Sequence, residues 1–308
     1  MPSAPSKKTL PWWLYPNLVS LDAPLVALVW LKLYEKAFQL AIPLEIFVTL
    51  GATVWSIYVV DRLLDARLTQ RRSPAGAKLA ARHLYHWERR RLLVPLVGLV
   101  LLLVLWTAFF RLPQSLTAAG LIPGLLIGFY LVGVSQGQRS LSGLKELVSG
   151  LLFAFGTSLS AYSYAGVLRS LDFGLLGSNG ETLAAMEVLS ALLLGAVVTF
   201  GQILFKAEVL FFGLLCAQNI FVIHLWEQPR ETPAKWDFYC WINALLSILT
   251  LTLALSVSHT GLPLLFGAIS LSAGLLAVLH RFRKRFRPRL LRVLADVALL
   301  TPLLFLLL

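Results

Sequence analysis

The chain predicts an all-α fold: a polytopic bundle of about nine transmembrane helices forming a single domain. Three observations carry this. Of 308 residues, 58% are hydrophobic, and the mean hydropathy is +0.77, more apolar surface than a soluble domain of this length can bury. Several apolar stretches approach the roughly 20 residues that cross a bilayer as a helix. The alternating segments of about ten residues that mark a membrane β-barrel are absent.

Taken in order, residues 1–16 read as a cytoplasmic segment, with two lysines in Met1–Lys8 and no cleavable-looking signal. Spans are predicted near 17–38, 41–64, 92–111, 114–134, 144–166, 237–257, 261–280 and 290–308, and no soluble domain is attached to the 17–308 bundle. The stretch 186–226 is long enough for two spans, and Lys206 and Glu208 interrupt it. Charge decides how it is counted. The loop 62–91 carries nine Lys and Arg against Asp65 and Glu88. The loop 281–292 carries Arg281, Arg283, Lys284, Arg285, Arg287, Arg289 and Arg292 with no acid. Both belong on the cytoplasmic side. Counting from the outer loop 167–185, the stretch 186–226 must cross an odd number of times, so one net crossing and nine spans are expected, with ten separate spans as the alternative. An extra half-helix, re-entrant turn or surface helix within 186–206 accompanies that one crossing.

The net charge of +12 is concentrated in loops that set topology, so it implies a membrane orientation and no nucleic-acid partner. Cys216 and Cys240 lie in or beside apolar segments and form neither a metal spacing nor a disulfide framework. Gly120, Gly124 and Gly128 recur every four residues, which predicts close helix packing of the fourth span. Trp12, Trp13, Tyr15, Trp226, Trp236, Tyr239 and Trp241 near span ends read as an interfacial belt. His83 and His86 read as solvated loop residues, and Asp22 before Pro24 as a helix cap or a residue bordering a cavity.

Two polar clusters carry the chemistry. Asp61-Arg62-Leu63-Leu64-Asp65 closes the second span. Its carboxylates are four residues apart and share one helix face. Ionisable groups at a membrane edge pair, reach water or bind something. Two carboxylates suit Mg²⁺, which binds one or two of them plus substrate phosphates. The competing reading pairs them with Arg62 or Arg67 at an ordinary helix end. The second cluster is Asn219, Glu227 and Glu231, the first two being two turns apart on nearly one face, with Pro229 ending or turning the helix. An odd number of crossings puts both clusters on one membrane face. There, Asp61, Asp65, Asn219, Glu227 and Glu231 become candidate ligands for Mg²⁺ against a diphosphate. Arg62, Arg139 and Lys145 become candidate partners for its oxygens.

On these residues the chain resembles the UbiA-type membrane prenyltransferases across roughly 17–308. Asp61, Arg62 and Asp65 match the last part of their Asn-x-x-x-Asp-x-x-x-Asp motif, with Ile57 at the asparagine position. Asn219, Glu227 and Glu231 stand at the places of their aspartate-rich second motif. Lys145 matches their Tyr-x-x-x-Lys feature, with Leu141 at the tyrosine position. The resemblance implies a helical bundle with a central cavity open to the membrane. It also implies Mg²⁺-dependent transfer of an isoprenyl group from a prenyl diphosphate to a lipid or aromatic acceptor, with Asp61, Asp65 and Glu227 catalytic, at the cytoplasmic face of a bacterial inner membrane. The alternative is a non-catalytic member of that architecture, or a small permease. The CDP-alcohol phosphotransferase signature does not fit: Ala66-Arg67 falls one position late, and no Asp-x-x-x-Asp follows.

Overall fold

The computed structural model describes residues 11–72, 81–135, 142–166, 185–227, 233–257 and 261–308, and among these every regular element is helical. A 3-10 turn (Trp12–Leu14) runs into helix α1 (Tyr15–Leu18), and this Trp12–Leu18 segment meets α2 (Asp22–Ala37) at an 82° bend. Then come α3 (Leu44–Arg72), α4 (Ala81–Glu88), α5 (Arg90–Phe110), α6 (Gln114–Ser135) and α7 (Ser142–Tyr164). The remainder is α8 (Ala185–Leu204), α9 (Ala207–Glu227), α10 (Pro233–Ser256), α11 (Leu262–Arg281), α12 (Pro288–Ala298) and α13 (Pro302–Leu306). Among the described residues, six helices are long and apolar enough to cross a membrane: α3, α5, α6, α9, α10 and α11. The bent α1–α2 pair brings the number to seven if it is one span. The chain is membrane-embedded.

Burial sorts these helices. The apolar window of α9 is 61% buried and that of α5 only 6%, so α9 lies at the centre and α5 on the lipid-facing rim. The core gathers around Trp30 of α2, which stacks on Phe212 of α9 with ring centroids 4.0 Å apart. Helix α7 lies against α9 because both have glycine at the contact. A Cβ at Gly150 would sit 2.4 Å from the Ala217 nitrogen and 2.6 Å from the Gly213 oxygen; one at Gly213 would sit 2.7 Å from Leu151. Small residues let membrane helices approach this closely. The expectation for the fourth span is corrected here. A Cβ at Gly120, Gly124 or Gly128 would meet nothing within 4 Å among the described residues, so the four-residue glycine spacing does not mark a helix contact among them.

Two predicted elements are built differently. The stretch 186–226 is two helices broken at Phe205–Lys206. Helix α8 has 20 residues, longer than a half-helix, and packs on α6 and α7. The predicted last span is also broken, at 299–301. It nevertheless runs the length of α2. Asp296 meets Asn17, just before α2 begins; the Leu299 carbonyl accepts from Trp30 Nε1 (2.9 Å); and those of Phe305 and Leu306 accept from Lys36 Nζ (both 3.2 Å). Trp30 and Lys36 lie about 12 and 21 Å along α2 from Asp22 at 1.5 Å per residue.

Candidate functional site

Helix α3 turns about 100° per residue, so Asp61 and Asp65 look one way and Arg62 another. The structure uses both directions. The Tyr130 hydroxyl of α6 donates to Asp61 Oδ1 at 3.3 Å, and Lys145 Nζ of α7 lies 5.3 Å from the centre of the Tyr130 ring. Asp61, Asp65 and Lys145 are all half-buried. Three helices thus bring an acid pair and a cation around one phenol.

Arg62 points the other way and is 3% exposed. Its Nη2 pairs with Asp22 Oδ2 at 3.2 Å, and its Nη1 donates to the Asn17 carbonyl. Asn17 Nδ2 donates to Asp22 Oδ2 (2.6 Å) and Asp296 Oδ2 (3.4 Å). Asn219 Nδ2 of α9 in turn donates to Asp296 Oδ1 at 3.5 Å. A polar network therefore runs from α3 through the α1–α2 elbow and α12 to α9. Asp22 is the first residue of α2 and Leu21 its N-cap, so Asp22 does not occupy the cap position; its carboxylate pairs with Arg62. The Oδ1 of Asn219 is buried with no hydrogen-bond partner among the described residues.

Arg139 and Glu231 lie outside the described residues. Glu227 is the last residue of α9, and its side chain lies outside them too. Asn219, expected beside Asp61 and Asp65, instead donates its side-chain amide to Asp296, in the network on the Arg62 side of α3. The signal for Asp296 was a lone acid inside the apolar run Val293-Leu294-Ala295-Asp296-Val297-Ala298. Tyr130 had no comparable signal, because an aromatic near a span end reads as part of the interfacial belt. Two other expectations are corrected. His86 is 1% exposed, with Nε2 3.1 Å from Ser20 Oγ, because α4 folds back onto the α1–α2 elbow. Trp226 is buried and donates to His280 Nδ1 at 3.3 Å, so it serves the α9–α11 contact and not the belt.

A second polar layer lies at the opposite end. The Tyr162 hydroxyl donates to buried Glu208 Oε1, and Glu35 Oε1 accepts from the Ile42 amide at 3.0 Å. Near that end a groove of about 610 Å³ opens between α3 and α5, lined by Glu45, Val48, Ala52, Leu103, Trp106 and Arg111 among others. Glu45 is 16 residues before Asp61, about 24 Å along the helix, so this groove and the Asp61 cluster are separate features.

Among the described residues, no group of three or more His, Cys, Asp or Glu side chains converges as a metal site. The donors on α3 are two carboxylates on one half-buried face. That set fits Mg²⁺ when phosphate oxygens and water complete the shell, which is how this ion is commonly bound. No protein-family model, curated protein or solved structure matches the chain.

Proposed function

We propose that the chain is a UbiA-like, Mg²⁺-dependent prenyltransferase of a bacterial inner membrane, with the Asp61 end cytoplasmic. The observation that carries the reading is the convergence of Asp61 from α3, Tyr130 from α6 and Lys145 from α7 at one end of an apolar bundle. An acid pair beside a cation can receive a metal diphosphate: carboxylate oxygens for the ion, an ammonium for the phosphate oxygens. Asp61 and Asp65 would hold Mg²⁺, which when bound neutralises charge on the departing diphosphate. Lys145 would face that group. Tyr130, donating to Asp61, would fix the carboxylate's orientation. The apolar helices would take the isoprenyl chain. In this reaction the allylic carbon–oxygen bond would break with its electron pair leaving on the diphosphate, the acceptor would attack the resulting carbocation, and the acceptor's proton would pass to water. Arg62 is not assigned to the diphosphate, because it is buried and paired with Asp22 on the other side of α3.

One observation favours a second reading, a non-catalytic membrane protein of the same architecture. The Arg62, Asp22, Asn17, Asp296 and Asn219 network closes much of its own hydrogen bonding. One experiment separates the two. Purified protein is offered labelled prenyl diphosphates of several chain lengths, with and without Mg²⁺, and binding and turnover are measured. The transferase reading expects Mg²⁺-dependent binding that falls roughly tenfold or more in Asp61→Asn and Asp65→Asn. Absence of Mg²⁺-dependent binding across the panel gives the second reading.

A further inference from the structure

The link between α11 and α12 is a structured, strongly cationic turn. Arg281, Lys284, Arg285, Arg287 and Arg289 are all exposed, and no acid lies between 281 and 292. The turn is held in shape. Residues Arg283–Arg285 form a 3-10 turn, Arg283 Nη1 donates to the His280 carbonyl at 2.9 Å, and Pro288 opens α12. Phe282 and Phe286 alternate with the cations and are 41% and 37% exposed. Cations with interspersed apolar rings suit the headgroup boundary of a bilayer, where rings enter the acyl region and cations meet phosphates. The position agrees. Helix α11 is long and apolar enough to cross a membrane and ends at Arg281. Eight residues after α12 begins, Asp296 joins the Asn17–Asp22–Arg62 network.

We propose that the Arg281–Arg289 turn binds the phosphate headgroups of anionic phospholipids in the leaflet at the Asp22–Arg62 end of the bundle. Setting orientation during insertion requires only the charges. A fixed turn with two exposed rings among them presents a binding surface as well. Because α12 follows directly and carries Asp296 between Asn17 and Asn219, bound lipid also braces the polar network. This inference does not rest on the transferase reading.

The test uses the full-length protein in detergent, titrated with phosphatidylglycerol or phosphatidylcholine. Lipid retention is read by native mass spectrometry and stability by the thermal midpoint. The wild type is expected to retain the anionic lipid roughly tenfold or more over the zwitterionic one. That preference should weaken as ionic strength rises from about 0.05 to 0.5 M. The variant K284Q/R285Q/R287Q/R289Q should lose the preference and the lipid-induced rise in midpoint. Equal retention of the two lipids by the wild type, or an undiminished preference in the folded variant, overturns the proposal. Glycerol phosphate competing as well as phosphatidylglycerol also overturns it, since the site would then take any phosphate. Should the variant not fold, the salt titration of the wild type decides: a salt-insensitive preference is incompatible with headgroup binding by these cations.

Discussion

At the scale of single residues, the most consequential contact is the pair between Arg62 and Asp22, whose side chains are 4% and 10% exposed. Removing one partner of a buried pair leaves a charge without compensation and costs about 3 kcal/mol or more. Arg62→Gln should therefore lower stability by about that amount, and D22N/R62Q should recover most of it, because neither neutral amide needs a counter-ion. Unfolding in detergent measures both. A single variant as stable as the wild type would mean that Asn17 and water satisfy Asp22 unaided. This contact also marks how far the residues could be read from sequence. Asp61 and Asp65 were legible as a carboxylate face because helix periodicity is local. Their neighbour Arg62 was legible as a cation, but not as one spent on Asp22, since that partner is 40 residues away. The same holds for Asn219 and Asp296, separated by 77.

At the scale of elements, hydropathy located most helices, while breaks and contacts depended on packing that it does not encode. Apolar content cannot distinguish one long span from α12 and α13 with a turn between them. It also cannot say which glycines touch a neighbour: Gly120, Gly124 and Gly128 have the regular spacing, yet Gly150 and Gly213 make the contact. These two sets give opposite expectations. In Gly150→Ala the new methyl would fall on the backbone of α9, which cannot rotate away as a side chain can. The helices must separate, at about 1–3 kcal/mol. Gly124→Ala places its methyl in open space and should change stability by no more than about 0.5 kcal/mol. Thermal melts of the two variants side by side check this, and equal effects would argue against the close α7–α9 approach. Because α9 carries Asn219 to Asp296, Gly150→Ala should also loosen the polar network, and Gly124→Ala should not.

At the scale of the whole molecule, the contacts along α2 order the two ends of the bundle. Asp22, Arg62, Asn219 and Asp296 meet at one end, and Tyr162 meets Glu208 at the other, where Lys36 holds the Phe305 and Leu306 carbonyls. The chain therefore passes from the first end to the second between Asp296 and Phe305, despite the break at 299–301. The basic turn before α12 lies beyond the first end, and positive charge favours the cytoplasm. The molecule thus has a testable orientation. In a background with Cys216 and Cys240 changed to alanine, R287C should react with a membrane-impermeant maleimide from the cytoplasmic side only. L308C should react from the opposite side only. Cys216 is buried and Cys240 half-buried, so the unlabelled cysteine-free background must first be shown to fold by its thermal midpoint. Labelling of L308C from the cytoplasmic side would mean that α12 and α13 turn back within the bundle. The hydrogen bonds from Trp30 and Lys36 would then have to be absent in the membrane, and the crossing they trace with them.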